Sequence, residues 1–167
     1  MNVSEVSPSG RKSIANTLVA IQFASLTLLA IGTLLQLPNS KFEYLWFEVA
    51  LIALGIAVIL FAARVLKPSL RVSPIPKPDS PFIATGIYKY VRHPMYLGVI
   101  LIGFGLAGLA DSPYFWIAEL ILIFNLNIKA RFEEALLLEI HPDAWHYQRH
   151  TSRILPCLGS SCRNTCL

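Results

Sequence analysis

Charge is scarce in this chain. Only 14% of its 167 residues are Asp, Glu, Lys or Arg, whereas a soluble domain carries about a quarter. With 54% apolar residues, a disordered chain is excluded as well. Cysteine is scarcer still. The three present, Cys157, Cys162 and Cys166, all lie beyond Leu155, so no disulfide framework can staple a core. A P-loop, a nucleophilic triad and a glycosidase-type carboxylate pair are missing. Membrane residence is the simple explanation of what remains.

The long apolar runs support it. No charge interrupts Ser13–Ser40, and residues 14–37 are long enough to cross a hydrocarbon core of about 30 Å. That run exceeds the h-region of a signal peptide and lacks a small-x-small site at its end, which makes it a true span. A second span is expected over 44–63, with Glu48 its only charge. A third, over 95–110, is short and glycine-rich, and a fourth follows over 114–128 after the break Asp111-Ser112-Pro113. So short a link makes these two an antiparallel hairpin, with Gly103 and Ala107 one turn apart on a face that allows close approach. The prediction is an all-α bundle of about four transmembrane helices, one membrane domain over residues 1–167. Residues 129–139 continue the last helix as far as the break at Pro142, and the proline-rich stretch 66–81 is an extended linker.

Basic residues orient the bundle. All but one of the 14 Lys and Arg residues fall before span one, between spans two and three, or after span four, and Lys41 is the exception. By the positive-inside rule both termini and the central loop are cytoplasmic. The formal charge of +4 is therefore an orientation signal, and with no nucleic-acid-binding motif beside it no nucleic-acid partner is expected.

One stretch is dense in chemistry. Residues 84–98 carry Gly86, Tyr88, Arg92, His93, Pro94, Met95, Tyr96 and Gly98 at a cytoplasmic boundary. Pro94 pushes His93 out of the helical region, so a defined turn precedes span three. A second stretch, 129–137, places Lys129 and Glu133 one helical turn apart, as it does Ala130 and Glu134. Tyrosine faces and a carboxylate suit cationic groups, while Arg92 or Arg131 suits an anion.

The pattern Gly86-x-Tyr88-x-x-x-Arg92-His93-Pro94-x-Tyr96-x-Gly98, followed by a span hairpin and by Glu133, Glu134 and Leu137, resembles the isoprenylcysteine carboxyl methyltransferase and phospholipid methyltransferase family. Tyr147, Arg153 and Pro156 match its closing segment, so the resemblance runs over roughly residues 81–156. It departs where family members carry Phe-Gly and two tyrosines, since this chain has His141-Pro142, Ala144-Trp145 and Tyr147.

The resemblance implies an integral membrane enzyme that uses S-adenosyl-L-methionine without a Rossmann fold. It implies a cofactor site from Pro81, Phe82, Ile83, Gly86, Tyr88, Arg92, His93, Pro94, Met95 and Tyr96, with a glutamate of the pair Glu133 and Glu134 on the helix side. Lys129, Arg131 and Tyr147 are expected toward the acceptor, with Arg131 and His93 in catalytic roles. The lipophilic acceptor would enter from the bilayer among membrane lipids. Its favoured form is a carboxylate such as that of a prenylated cysteine, because Lys129 and Arg131 at the mouth of span four favour an anion; a carboxylate is already a nucleophile at neutral pH and requires no base. A phospholipid amine would need a base, and His93 is the nearest candidate.

Plainer readings stand beside these. His93-Pro94 alone is a helix-starting turn, and Glu133-Glu134 alone is a solvated helix face, which at least one of the two is expected to occupy. Glu48 and Glu119 are expected near the non-cytoplasmic headgroups, in structural roles. The spacing of His146 and His150, and of Cys162 and Cys166, is four residues, yet no metal site is expected. Two rivals remain: an NADPH-dependent sterol-type reductase, whose members carry Asn where Met95 stands, and a non-catalytic membrane scaffold.

Overall fold

The computed structural model describes residues 6–36, 45–66 and 83–156. Among the described residues there are five α-helices: α1 Pro8–Gln36, α2 Leu45–Leu66, α3 Pro94–Ala110, α4 Pro113–Ile140 and α5 Ala144–His150. A single 3-10 turn, Gly86–Lys89, precedes α3. Among the described residues there is no strand, only an isolated parallel bridge between Val91 and Ser152. The all-helical class expected from the sequence is what forms.

The first two helices each bury only a narrow stripe. In α1 the buried residues are Ala15, Leu18, Ser25, Leu29 and Thr33, which recur at helical spacing on one face. Its other faces expose Phe23, Leu28, Ile31, Leu34 and Leu35. In α2 only Gly55 and Ala62 are buried, two turns apart, while Trp46, Phe47, Leu54, Leu60 and Phe61 face outward. A helix apolar on every side has no stable exposed position in water. By length and composition α1 and α2 are long and apolar enough to cross a membrane, whereas α3 is apolar but has 17 residues.

Glycines set how closely α2 and α3 approach. A Cβ on Gly98 would lie 2.6 Å from the Gly55 carbonyl oxygen, and one on Gly55 would lie 2.5 Å from that of Gly98. Two turns on, a Cβ on Gly105 would meet the Glu48 carbonyl oxygen at 2.7 Å. Gly103 and Ala107 face α4 as their spacing suggests, with Ala107 packed in a cluster that includes Ala118, Leu122 and Leu126. The closest backbone approach nevertheless falls at Gly98 and Gly105, toward α2.

The hairpin between α3 and α4 forms where the sequence breaks. Asp111 takes the left-handed conformation (φ 46°), Ser112 is extended, and Pro113 opens α4 at a position where its missing N–H costs nothing. From there α4 runs without interruption for 28 residues, about 42 Å, so residues 129–139 continue the same rod as the apolar stretch before them. Against it α1 is fastened at intervals. The Asn125 amide donates to the Leu18 carbonyl at 3.0 Å, Phe132 and Leu136 pack on Ala15 and Leu18, and Arg11 pairs with Glu139.

Candidate functional site

The 3-10 turn, the start of α3, the C-terminal half of α4 and the segment after α5 meet at one end of the bundle. Gly86 has φ +60°, and a Cβ there would also press on Val65 of α2 at 3.1 Å, so this turn fits only glycine comfortably. Tyr88 is thereby turned inward and is 7% exposed. His93 stands in front of Pro94, and its carbonyl accepts the N–H groups of Tyr96 and Leu97. The segment after α5 then pairs with this loop. Arg92 N–H donates to the Ser152 carbonyl at 2.8 Å and His93 N–H to that of Arg153 at 2.9 Å, while Ile154 enters the core.

At the centre is a bridge of three side chains. The His93 ring has Nδ1 3.5 Å from Glu133 and Nε2 3.2 Å from Glu134. Tyr96 stacks on that ring at 5.1 Å between centroids and donates its hydroxyl to Glu133 at 2.6 Å. Glu134 also meets Arg92 at 3.0 Å and receives the Arg153 guanidinium in a forked contact at 3.0 Å. Its backbone carbonyl accepts from Gln148.

Electrostatics follow from these contacts. Burial alone would lower the His93 pKa, but the two carboxylates outweigh it and hold the value above 6.5. Burial opposes ionisation of Glu134, yet His93, Arg153 and Arg92 together keep its carboxyl below the usual range. Tyr88 is pushed up to about 12 by burial and by Glu133. Tyr147 is likewise pushed up to about 12, chiefly by burial, and its hydroxyl donates to the Tyr88 carbonyl.

The two glutamates therefore differ. Neither lies on a solvated face: Glu134 is 8% exposed and its oxygens are taken up by cations of the same chain, while Glu133 is partly exposed and held more loosely. Lys129 is 3% exposed and turned inward, its ammonium 2.8 Å from Gln22 of α1 and 5.2 Å from the centre of the Tyr96 ring. Arg131 is exposed, and no ion pair or hydrogen bond joins it to the cluster. Gly86, Tyr88, Arg92, His93, Pro94, Met95 and Tyr96 share one short segment leading into α3, and Ile83 lies at the start of its described part. Pro81 and Phe82 lie outside the described residues.

Sequence reasoning missed Arg153 and Gln22 as parts of this end. The only signal for Arg153 was its place before Pro156 in the closing segment, and Gln22 reads as one polar residue in an apolar span. Glu119 is 1% exposed and turns inward against Gly103 rather than outward to headgroups. Among the described residues no group of three or more His, Cys, Asp and Glu has the arrangement of a metal site, and Cys162 and Cys166 lie outside them.

Outward-facing apolar helices with an ionic and aromatic cluster at one end fit a helical membrane protein. The phospholipid methyltransferase family model matches residues 44–144, well over half of the chain, and the chain belongs to that family. It is a family of membrane methyltransferases of the S-adenosylmethionine-dependent class. The match takes in α2, the loop, α3 and α4, and leaves out α1 and the segment holding Tyr147 and Arg153. Neither a curated protein nor a solved structure matches the chain.

Proposed function

We propose that the protein transfers a methyl group from S-adenosyl-L-methionine to a lipophilic acceptor at the cytoplasmic face of a membrane, and that the acceptor group is a carboxylate such as that of a prenylated cysteine. The observation that carries the choice of acceptor is the engagement of both His93 nitrogens by Glu133 and Glu134. A ring with a carboxylate at each nitrogen leaves neither nitrogen open to take a proton from an amine, and a carboxylate acceptor asks for none.

The residues present fit the cofactor by their chemistry. Glu133, partly exposed, suits an ammonium, and the Tyr96 and Tyr88 rings suit a sulfonium. When bound, S-adenosylmethionine supplies an electrophilic methyl group whose leaving thioether needs no proton. What falls to the protein is alignment of the two reactants and exclusion of water. Glu134 serves alignment by fixing Arg92, His93 and Arg153 against one another, and Pro94 fixes the loop where α3 begins. Arg131 and Tyr147 belong to the acceptor side in this reading. The four-span topology with both termini cytoplasmic is part of the same proposal. The exposed apolar face of α4 at Ile117, Leu120, Ile121, Phe124 and Ile128 supports it.

A phospholipid amine is the second reading, favoured by the description of the matched family. The test uses detergent-purified full-length chain, methyl-labelled S-adenosylmethionine, and either a farnesylated cysteine or phosphatidylethanolamine vesicles. Base-labile label on the farnesylated cysteine is the expected result, as for a methyl ester. Base-stable label on the phospholipid would establish the second reading. Titration with S-adenosylhomocysteine, with NADPH as control, separates both from the reductase and scaffold alternatives.

A further inference from the structure

Lys129 is a buried ammonium whose direct contacts among the described residues are neutral. One N–H goes to the Gln22 amide oxygen at 2.8 Å, and the charge lies 5.2 Å from the centre of the Tyr96 ring. The nearest carboxylate along α4, Glu133, favours the charge from a distance, but it gives its oxygens to Tyr96 and His93 and forms no ion pair with Lys129. A buried charge without a counter-ion is costly, and an ammonium has three donors to satisfy. A lone lysine at a membrane boundary ordinarily extends its stem toward water. This one is held inward by a residue of α1, a helix outside the family match.

We propose that Gln22 is a positioning residue through which α1 completes the acceptor end of the site: its amide oxygen fixes the Lys129 ammonium over Tyr96, where it receives the anionic head of the lipophilic acceptor. The acceptor's anion supplies the direct ion pair that Lys129 lacks among the described residues, and Gln22 sets the preference for an anionic head over an amine. This rests on the methyl-transfer reading above. The amide suits the task because it accepts a hydrogen bond without neutralising the charge. A glutamate at the same place would satisfy Lys129 internally and compete with the acceptor.

The experiment compares wild type, Gln22→Leu and Gln22→Glu as full-length purified chains, with farnesylated cysteine as the carboxylate probe. Gln22→Leu is expected to raise KM for that probe about tenfold, the loss of one hydrogen bond to a charged group, with kcat and KM for S-adenosylmethionine unchanged. Gln22→Glu is expected to raise the acceptor KM further while binding S-adenosylhomocysteine as wild type does. An acceptor KM that does not move in either variant overturns the inference. So does a fall in kcat and in S-adenosylhomocysteine affinity together with melting temperature, the mark of a packing role alone. Wild type that methylates phosphatidylethanolamine and not the carboxylate also overturns it, while the methyltransferase reading stands. If wild type binds no S-adenosylhomocysteine, the methyltransferase reading fails and the inference falls with it.

Discussion

Two buried glutamates on α4 live in opposite surroundings. Glu134 is 8% exposed and meets Arg92, His93 and Arg153. Glu119 is 1% exposed, lies against Gly103, and neither of its oxygens has a hydrogen-bond partner among the described residues. They belong to one continuous helix, about four turns apart. One end of that helix is thus organised by charge and the other by shape. A carboxylate among three cations is a structural joint, because its contacts tie α4 to two other segments: the loop before α3 through Arg92 and His93, and the chain after α5 through Arg153. A carboxyl seated over a glycine fixes nothing beyond the fit of α3 on α4.

Removing the joint is the most severe way to test this contrast. Glu134→Ala leaves two guanidiniums and an imidazolium together without their shared anion, and breaking such a buried pair costs about 3–5 kcal/mol. Loss of S-adenosylhomocysteine binding and a large fall in melting temperature are expected. A near-normal melting curve would show that the three cations do not depend on Glu134. Arg153→Ala removes only one arm and is expected to cost about 1.5–3 kcal/mol, the range for hydrogen bonds to charged groups. Arg153→Lys should recover only part of this, since a point charge does not reproduce the fork on both Glu134 oxygens. Full recovery with lysine would reduce the contact to simple charge.

Titration sharpens the same comparison more gently. His93 is raised above 6.5 in the fold, so its contribution is complete below that value and is lost as pH rises through the raised one. Glu134 is held below 4.5, so its contribution is present above that value and lost as pH falls through the lowered one. Melting temperature is therefore expected to decline on the alkaline side of 6.5, and His93→Gln should flatten that limb. An unchanged alkaline limb in the variant would remove His93 as its source. The smallest effect belongs to Glu119→Gln. A neutral amide of the same shape replaces a carboxyl that makes no hydrogen bond, and stability should move by less than about 1 kcal/mol. A large loss would mean that the carboxyl serves a partner which the packing against Gly103 does not reveal.

The helices were readable because their causes are local. Pro113 and the left-handed Asp111 start one helix and end another within a few residues, and Pro142 stops α4 just beyond Ile140. The segment from Gly86 to Tyr96 was readable for the same reason, since a glycine-dependent turn and a His-Pro step constrain their own backbone. The division of labour between Glu133 and Glu134 was not, and neither was the inward turn of Glu119. Helical periodicity gives a residue's direction around the axis but not what another helix brings to meet it.

The sequence by itself determined an all-helical membrane chain and the place of its chemistry, because hydropathy and turn preferences act over a few residues. Only the tertiary structure decided that Arg153 closes on Glu134, that Gln22 holds Lys129, and that Gly98 rather than Gly103 carries the closest backbone approach. Those pairings join residues 19 and 107 positions apart, in the first two cases, and exist only once the helices have packed.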